Sequence, residues 1–434
     1  PVSVRAEEIQ TEMQEETSAE EVAEEIMEES TEQAVEEIME ESTEENIEEN
    51  PNTSIEDSIA IITEESTEEI TNTSIEENIA VITEETDEGV MEISEDYTHT
   101  DANGNVFTYT LNENSQAVIH GITLSGTVLV VPSELDGYVV AAVESENTCV
   151  VTNPDVYIPE LTVSCASVAP NAFAGLSIGT LTMAEGITGM NGYVDTGTGH
   201  IWKQFGNCTI DHVNYNAANI QVTIPWAVSG PPEVLGIFGG SEIGSISFGE
   251  NVESIVPFLF CGAYLQMDEL SINVPKIGAR AFCGENIYIE NLILEEEVNA
   301  LGESPYSSTT YHYYEQFAGA KIGNVTLKAS NMILEHTLLP AASVTVRGPF
   351  YKSEIGGFVI GENVGVITEL LFYNANMNLD TLELHVPEIG AFAFAGTGIS
   401  IGNLMIGSEV ETFAESYFST SNNHRYSHFQ HAAI

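Results

Sequence analysis

Apolar and polar residues alternate along much of the chain after residue 105, and this period of two predicts short β-strands. The first strand is predicted over Val106–Leu111, followed by a turn at residues 112–115 and a second strand over residues 117–124, which together form a hairpin. A third predicted strand begins at Thr127 and is closed by Pro132, and Asp136 with Gly137 supplies the next turn.

Residues 289–301, IENLILEEEVNAL, indicate how one such strand would build a core. Leu292 and Leu294 are predicted to point inward, and Val298 and Leu301 to fold back over the same apolar side. The predicted structural core positions are Phe173, Phe282, Phe394, Leu292, Leu294 and Leu404.

A long internal repeat organises these strands. Residues 274–317 (copy two) align without a gap with residues 386–429 (copy three), 112 positions downstream, and with short insertions or deletions to residues 167–205 (copy one). Residues 238–260 and 350–372 obey the same offset. Units that cannot bury their apolar side alone must stack on neighbours, so the repeat predicts a solenoid.

The recurrent strand phrases predict four or five coils in each copy, with loops bulging from the longer coils. A coil here is one turn of the solenoid. The phrases begin, at unequal spacings, at Leu292, Val325, Phe358, Leu382 and Leu404, with Val344–Val346 as a further candidate strand. Gly278, Gly284, Gly390 and Gly396 flank apolar Ala-Phe pairs and are predicted where the chain turns sharply.

The charge divides the chain into unlike parts. Of the 69 acidic residues, 35 lie in residues 1–96, where Arg5 is the only Lys or Arg, and 34 acidic and 8 basic residues follow. Both parts should repel nucleic acid and anionic lipid. No run of 18 apolar residues occurs, so no membrane insertion is expected.

Residues 1–96 are interpreted as a low-complexity acidic leader that is mostly disordered, because like charges crowd its short helical patterns. The alternative is that its isoleucine face docks on a partner or on the end of the solenoid. Val4 and Ala6 resemble the small residues before a signal-peptide cleavage site, so residues 1–6 are interpreted as a signal-peptide remnant of a secreted protein, or else as an arbitrary boundary. Residues 97–145 are predicted to form the hairpin cap and first coil, and residues 146–434 the solenoid.

The phrase FTYTLNENSQAVIHGITLSGTVLVVPSELDGYVVAAV, followed by recurrent I-G-x-x-A-F-x-G and L-x-[ILMF]-x-x-x-V-x-x-[ILF] phrases, resembles leucine-rich repeat surface proteins of the BspA type from about residue 107 onward. The resemblance implies a right-handed leucine-rich-repeat solenoid with one short parallel strand per coil and an irregular or β/3-10 convex side. It also implies a bacterial secreted or surface protein linked to adhesion. The unequal spacing of the strand phrases departs from the family's near-even coils.

A histidine and aromatic motif recurs once per copy, beginning at His200, His312 and His424. Four or five coils at about 4.8 Å each separate equivalent positions by about 20 Å, whereas zinc takes ligands at about 2 Å. The three histidines therefore cannot share one metal ion, and neither a metal nor a cofactor is predicted.

The loop before each motif is rich in Tyr, Ser, Thr, Gly and Asn, a composition that suits adaptable contacts with protein or glycan. The alternative is a turn-rich insertion whose aromatic residue packs over the edge of a coil. The candidate binding residues are His200, Trp202, Tyr306, Tyr311, His312, Tyr314, Tyr417, His424 and Tyr426.

Cys261 and Cys283 occupy equivalent places in successive coils, within disulfide reach, but two stacked buried thiols are the favoured interpretation because copy three has Tyr373 and Ala395 there. The five cysteines are too few and too scattered for a disulfide scaffold. No sequence motif for a nucleophile, phosphate loop or dinucleotide site is present, so an enzyme is not predicted.

The predicted function is a secreted or cell-surface module that binds an extracellular protein or glycan, with its oligomeric state left open. One alternative is a passive spacer that presents a downstream domain, since residues 429–434 align with the start of a further copy. A second alternative is part of a surface enzyme, although a gently curved repeated sheet rarely forms the concave pocket that enzymes use.

Overall fold

The computed structural model describes residues 95–145, 148–195, 199–223, 233–341, 343–419 and 424–434. Every regular element within these ranges is a β-strand. The predicted acidic leader and its signal-peptide remnant lie outside the described residues, apart from Glu95 and Asp96.

The largest element is a parallel sheet of twelve strands, the main sheet, in which strands from successive coils lie side by side. Its strands are Val128–Val131, Tyr157–Val163, Ser177–Met183, Thr209–Tyr215, Glu242–Ile243, Ile246–Phe248, Tyr264–Ile272, Ile287–Leu294, Lys321–Leu327, Glu354–Ile360, Asn376–Leu379 and Ile399–Ile401.

Alternation along each strand sends every second side chain into the core. The register aligns Leu292 with Leu270 on one side and with Val325 on the other, and Val325 with Phe358. Leu292 and Leu294 are fully buried. Rows of like apolar residues therefore run across the strands, and each coil covers the apolar side of the next.

A second set of parallel strands, the back ladder, runs behind the main sheet. Back-ladder residues such as Ile277 share one continuous core with main-sheet residues such as Ile289. The strands form three groups: Tyr138–Val143, Ser167–Val168, Gly189–Met190 and Gln221–Val222; then Ser254–Ile255, Lys276–Ile277, Ala300–Leu301 and Ile333–Leu334; then Val366–Ile367, Glu388–Ile389 and Thr412–Phe413.

Antiparallel strands precede the first group of the back ladder. Tyr97–Thr100 pairs with Val106–Leu111, which pairs with Ala117–Thr123 as the predicted hairpin. Ala117–Thr123 then pairs in parallel with Tyr138–Val143, and Glu134–Leu135 adds an antiparallel strand there. The hairpin thus belongs to the back ladder, and its role as a cover for the first coil stays a prediction.

Within the described ranges, three small sheets lie outside these two ladders. Gly199–Ile201 pairs with Tyr193–Asp195 and Glu233–Leu235, and Tyr311–Tyr313 pairs with Thr345–Arg347. The third sheet pairs Leu382–Leu384 with Leu404–Ile406. The last two predicted strands therefore pair with each other and not with the strand that contains Phe358. Leu404, a predicted core position, is only partly buried at this edge.

From Phe173 onward, one phenylalanine from each coil joins a continuous stack, the ring ladder, on the side of the core that faces the turns. Consecutive ring centroids are 4.8–5.6 Å apart. Four steps separate Phe282 from Phe394, which gives four coils per copy. The rings are those of Phe173, Phe205, Phe238, Phe260, Phe282, Phe317, Phe350, Phe372, Phe394 and Phe429.

The turns that carry the ring ladder repeat one backbone shape. Residues two before and two after most of the rings have positive φ, as in Arg280 at 56° and Gly284 at 141° around Phe282. Gly278 has a different reason to be glycine, because a Cβ there would lie 2.5 Å from the Pro257 nitrogen of the preceding coil. The predicted glycines thus mark both a sharp turn and a close approach.

Cys261 and Cys283 form a disulfide between successive coils, with Cα atoms 4.6 Å apart. The favoured prediction of two stacked thiols was wrong. Each cysteine directly follows a phenylalanine of the ring ladder, so the two cysteines occupy the same position in successive turns. Their side chains are therefore adjacent and can form the bond. Cys149, Cys165 and Cys208 are free.

Candidate binding surfaces

The outward face of the main sheet is polar and carries three tyrosines that are about half exposed, Tyr157, Tyr264 and Tyr288. Glu242 lies beside Tyr264 in the register, and Lys321 lies beside Tyr288. Tyr264 and Tyr288 come from adjacent strands, and Tyr288 is aligned with Gln266, two residues along from Tyr264. Two exposed rings, a carboxylate, an ammonium group and an amide therefore share one patch.

Carboxylates hold the hydroxyls of two of these tyrosines, Tyr157 and Tyr288. Tyr157 Oη donates to Asp211 at 3.1 Å, reaching across Gly179, where a Cβ would lie 2.6 Å from the same hydroxyl. Tyr288 Oη donates to Glu290. These hydrogen bonds to carboxylates raise the pKa of both tyrosines. These two rings are therefore fixed at the hydroxyl end while about half of each residue stays exposed to solvent.

Amide and hydroxyl side chains continue the polar surface along the sheet. Asn324 Nδ2 donates to Asn291 Oδ1 at 3.4 Å, and Asn291 Nδ2 donates to the Asp268 carbonyl at 3.0 Å. His212 contacts the hydroxyls of Ser245 and Ser247 at 2.8 and 3.0 Å. A flat surface with aromatic faces, carboxylates and amides can hydrogen-bond to the hydroxyls of a sugar or to a peptide.

The recurrent histidine motifs lie at three corresponding places in the repeat, which we call seat one (His200), seat two (His312) and seat three (His424). In seat two, His312 Nδ1 lies 2.6 Å from Glu303 Oε1, and both side chains are fully buried. The other Glu303 oxygen accepts hydrogen bonds from the Thr337 backbone N–H and hydroxyl, at 2.7 and 2.6 Å. Seat two is closed to solvent.

An aromatic ring from the following copy covers each of the first two seats. Tyr306 meets the His200 ring edge-on with centroids 5.0 Å apart, and its hydroxyl contacts His200 Nδ1. Phe418 meets His312 in the same way at 4.9 Å. The contact joins residues 106 apart in the first case, and residues 312 and 418 are separated by the same number. Burial beneath the ring lowers the pKa of His200.

Seat three has the same pair but is open. His424 Nδ1 lies 2.6 Å from Glu415 Oε1, with the two side chains 61% and 34% exposed. Tyr426 Oη donates to Glu415 Oε2 at 3.2 Å. Hydrogen bonds from Ser419 and His424 lower the pKa of Glu415.

The nine candidate binding residues divide by exposure. His200, Trp202, His312 and Tyr314 are fully buried, and Tyr306 is half-buried. Trp202 stacks on Phe258 at 5.0 Å, and the Tyr314 hydroxyl contacts His336 Nδ1 at 2.6 Å. These residues pack over the edges of coils, as in the edge-packing alternative, and the contacts of His200 and His312 also join one copy to the next. The exposed candidates are Tyr311, Tyr417, His424 and Tyr426.

Sequence reasoning missed the partners of these residues. Glu303 and Glu415 recur at the same offset as the histidines, and that spacing was the available signal. His336, which stacks on Tyr417 at 3.8 Å, has no such signal because residue 224, its counterpart, is an isoleucine.

A charged cluster near the disulfide was also missed. Arg280 Nε and Nη2 both lie 2.6 Å from Glu315 Oε2, and Arg347 Nη1 lies 3.0 Å from Glu315 Oε1. The Arg347 guanidinium also lies 5.0 Å from the centre of the Tyr313 ring. The cluster ties three coils together, and its arginine and glutamate positions do not recur at the 112-residue offset.

Among the described residues, no group of three or more His, Cys, Asp or Glu side chains could hold a metal ion. Nor does any helix in the same ranges have the length and apolarity to cross a membrane.

A solenoid of stacked coils, each with a short parallel strand, is the architecture of leucine-rich repeat proteins. The family model for the BspA type leucine-rich repeat region matches six times, over residues 236–337 and 346–432. The matched residues are therefore BspA-type leucine-rich repeats, which confirms the predicted family resemblance and fold class. Comparison with curated proteins finds no match.

Two solved structures resemble the chain. One, from Faecalibacterium prausnitzii A2-165, is described as a leucine rich cell surface protein; identity is 14%, coverage is 72% of this chain and 95% of that chain, and the TM-score is 0.23. The other, from Bacteroides ovatus ATCC 8483, is described as a leucine-rich repeat protein; identity is 14%, coverage is 69% and 89%, and the TM-score is 0.21. At these scores the assignment rests on the repeat match alone.

Proposed function

We propose that this protein is a secreted or cell-surface binding module that recognises an extracellular glycan or protein and serves adhesion. The supporting observation is the outward face of the main sheet, where half-exposed tyrosine rings lie among carboxylates and amides. Aromatic faces pack on the C–H surfaces of sugars or on apolar side chains, and carboxylates and amides accept and donate hydrogen bonds to hydroxyls or peptide groups. The strong negative charge of the chain directs it to neutral or cationic ligands.

Tyr264 and Tyr288 are the residues proposed to make the central contacts. Both rings are exposed, and they come from adjacent strands of the longest part of the main sheet. Neither ring fills the core, so each can be removed with little effect on the fold. Tyr311, Tyr417, His424 and Tyr426 are proposed as a second exposed set at the histidine loops.

The test is a binding screen of the full chain against arrays of neutral and acidic glycans, mucins and extracellular matrix proteins. A saturable signal is expected from at least one ligand, and Tyr264→Ala with Tyr288→Ala should weaken it at least about tenfold if two aromatic contacts are lost. Ile333→Ala, an exposed substitution on the back ladder, is the matched control and should leave binding unchanged. Equal loss in the control, or unchanged binding in the double variant, contradicts the proposed surface.

A passive spacer is the second candidate function, and the unbroken ring ladder favours it. A continuous stack with 4.8–5.6 Å steps makes a stiff element that could hold another domain at a distance. Absence of binding to every array member would support the spacer and remove the adhesion proposal.

A further inference from the structure

A cleft of about 310 Å³ opens beside the disulfide, among the turns of the solenoid. Its lining includes Cys261, Cys283 and Ala318, each of which directly follows a phenylalanine of the ring ladder. The ring ladder continues beyond the cleft in both directions, to Phe173 and to Phe429. The cleft therefore lies within the stack of coils and not at either end of it.

Copy three shows which side chains the repeat can place at these positions. There Tyr373 packs against Phe392 with ring centroids 5.8 Å apart. The residues 112 positions earlier are Cys261 and Arg280, and both line the cleft. Copy two therefore has a small and a charged side chain in place of an aromatic pair, which leaves room beside a guanidinium group.

Packing alone does not account for the charged residues of the cleft. Arg280 and Glu315 are buried, and Arg280 Nη2 lies 2.6 Å from Glu315 Oε2. At the corresponding positions copy three has Phe392 and Ser427. A buried ion pair is a poor substitute for apolar packing, because the loss of hydration offsets the attraction between the charges. The charged pair of copy two therefore points to the chemistry of the cleft.

Lys352, at the edge of the cleft, has a backbone conformation that neighbouring coils give to glycine. Its φ is 59°. The corresponding residues of the four preceding coils are glycines with positive φ, namely Gly240, Gly262, Gly284 and Gly319. A side chain costs conformational energy there, since glycine alone adopts this conformation freely. Among the described residues no carboxylate pairs with Lys352, whose Nζ lies 5.3 Å from the centre of the Tyr351 ring.

We propose that this cleft binds a sugar acid, the carboxylate-bearing residue of an acidic glycan. Lys352 pairs with the carboxylate, and the carboxylate of Glu285, which also lines the cleft, accepts hydrogen bonds from the hydroxyls of the sugar. The site is separate from the tyrosines of the main sheet, so the proposal does not depend on their ligand.

The local charge of the cleft is opposite to that of the whole chain. Arg280 and Lys352 line it, and the Arg347 guanidinium lies 5.1 Å from the centre of the Tyr351 ring, which also lines it. These three cations, of the eight Lys and Arg residues after residue 96, exceed the two carboxylates of the cleft, whereas the chain carries a net charge of −60. An anionic group is therefore attracted here although the chain as a whole repels it.

The backbone of the cleft disfavours an extended peptide as the ligand. The N–H groups of Gly262, Gly284 and Gly319 already donate to carbonyls of the next coil, at 2.9, 2.9 and 3.1 Å. A peptide backbone would find these donors occupied, whereas a sugar acid is recognised by side chains. The volume of about 310 Å³ is at the small end of ligand sites, which suits a single sugar ring.

The test is a ligand-observed NMR titration of the full chain with methyl glucuronide up to about 10 mM. Methyl glucoside, which has the same ring without the carboxylate, is the matched neutral probe. The methyl glycoside of N-acetylneuraminic acid is a second acidic probe. At least one acid should saturate and bind about three- to tenfold more tightly than the glucoside, because only the acids can pair with an ammonium group. If neither acid binds more tightly than the glucoside, the proposal is overturned.

Lys352→Gly is the decisive variant, and its fold should be retained because the preceding coils have glycine at this position. It should reduce the preference for the acid to less than about twofold, and Lys352→Arg should keep the preference. Lys276→Ala removes an equal charge on the back ladder and should leave binding unchanged. Unchanged binding by Lys352→Gly, or an equal loss in Lys276→Ala, overturns the proposal.

Two further measurements identify the ligand and the surface. The amide of N-acetylglutamate should bind more weakly than the better acid, and equal or tighter binding would overturn the assignment to a sugar. Tyr264→Ala with Tyr288→Ala should leave binding of the acid unchanged, so this proposal and that of the main sheet can fail separately. Loss of binding in that double variant would place the acid on the main sheet and overturn the cleft.

Discussion

Phe418 meets the imidazole of His312 edge-on with ring centroids 4.9 Å apart, although the two residues belong to different copies of the repeat. Because Phe418 is almost fully buried, Phe418→Ala should lower the free energy of unfolding by about 3–5 kcal/mol. The measurement is urea unfolding followed by circular dichroism. Phe413→Ala, at a half-exposed ring on the back ladder, should cost much less, and equal losses would contradict the covering role of Phe418.

Neighbouring rings of the ring ladder should depend on each other energetically. Phe282 and Phe317 stack with centroids 5.4 Å apart, whereas Phe282 and Phe394 lie four coils apart. In a double-mutant cycle to alanine, the pair 282 and 317 should couple by about 0.5–3 kcal/mol, and the pair 282 and 394 should be additive within about 0.5 kcal/mol. Equal coupling in both pairs would show that the coils do not interact through nearest neighbours.

The disulfide between Cys261 and Cys283 should stabilise two successive coils. The bridge closes a loop of 22 residues, so Cys261→Ser with Cys283→Ser should lower the free energy of unfolding by about 3 kcal/mol through greater freedom of the unfolded chain. Thiol titration of the unfolded, unreduced wild type should find three free thiols, those of residues 149, 165 and 208. Five thiols without reductant would show that the bridge is absent.

Stability should fall with acid through His336. Burial lowers the pKa of His336 from 6.5 to about 4, with Glu303 opposing this shift and His312 adding to it. Between these values the unfolded chain binds a proton that the folded chain does not, so the free energy of unfolding drops as the pH falls from about 6.5 to about 4. Urea unfolding at about pH 7.5 and about pH 4.5 measures the loss.

The variant His336→Gln provides the control for that prediction. It lacks the titrating group and should lose less stability over the same interval than the wild type. The comparison is needed because burial also lowers the pKa of His428 and raises the pKa of Glu369, which acts in the opposite direction. Identical losses in the two proteins would rule out His336 as the source.

The 112-residue repeat allowed more of the fold to be predicted from the sequence than any other feature. It places Phe173, Phe282 and Phe394 in one stack, since a translated unit must put equivalent residues in equivalent positions. The predicted strands from Leu292, Val325 and Phe358 also lie in register.

The direction in which the histidine loops extend could not be predicted from the sequence. Tyr306 and Phe418 reach back to the preceding copy, a relationship that no periodic pattern encodes, because 106 residues is not the repeat length. Burial of His200 and His312 follows from that reach, and a polar loop composition gives no sign of it. The prediction that Cys261 and Cys283 are free thiols was wrong for a related reason. Their spacing in the sequence predicts the distance between the two Cα atoms, but it does not predict the directions of the two side chains.

The ring ladder keeps a constant step while the chain between its rings changes length. Phe260 and Phe282 are 22 residues apart and Phe282 and Phe317 are 35 apart, yet their centroids are separated by 5.2 and 5.4 Å. The additional residues of the longer coils form loops outside the stack, and the histidine seats lie in such loops. New segments can therefore be added to a coil at that point while the pitch of the solenoid is preserved, which gives such a protein a fixed interior on which its outer surface can diversify.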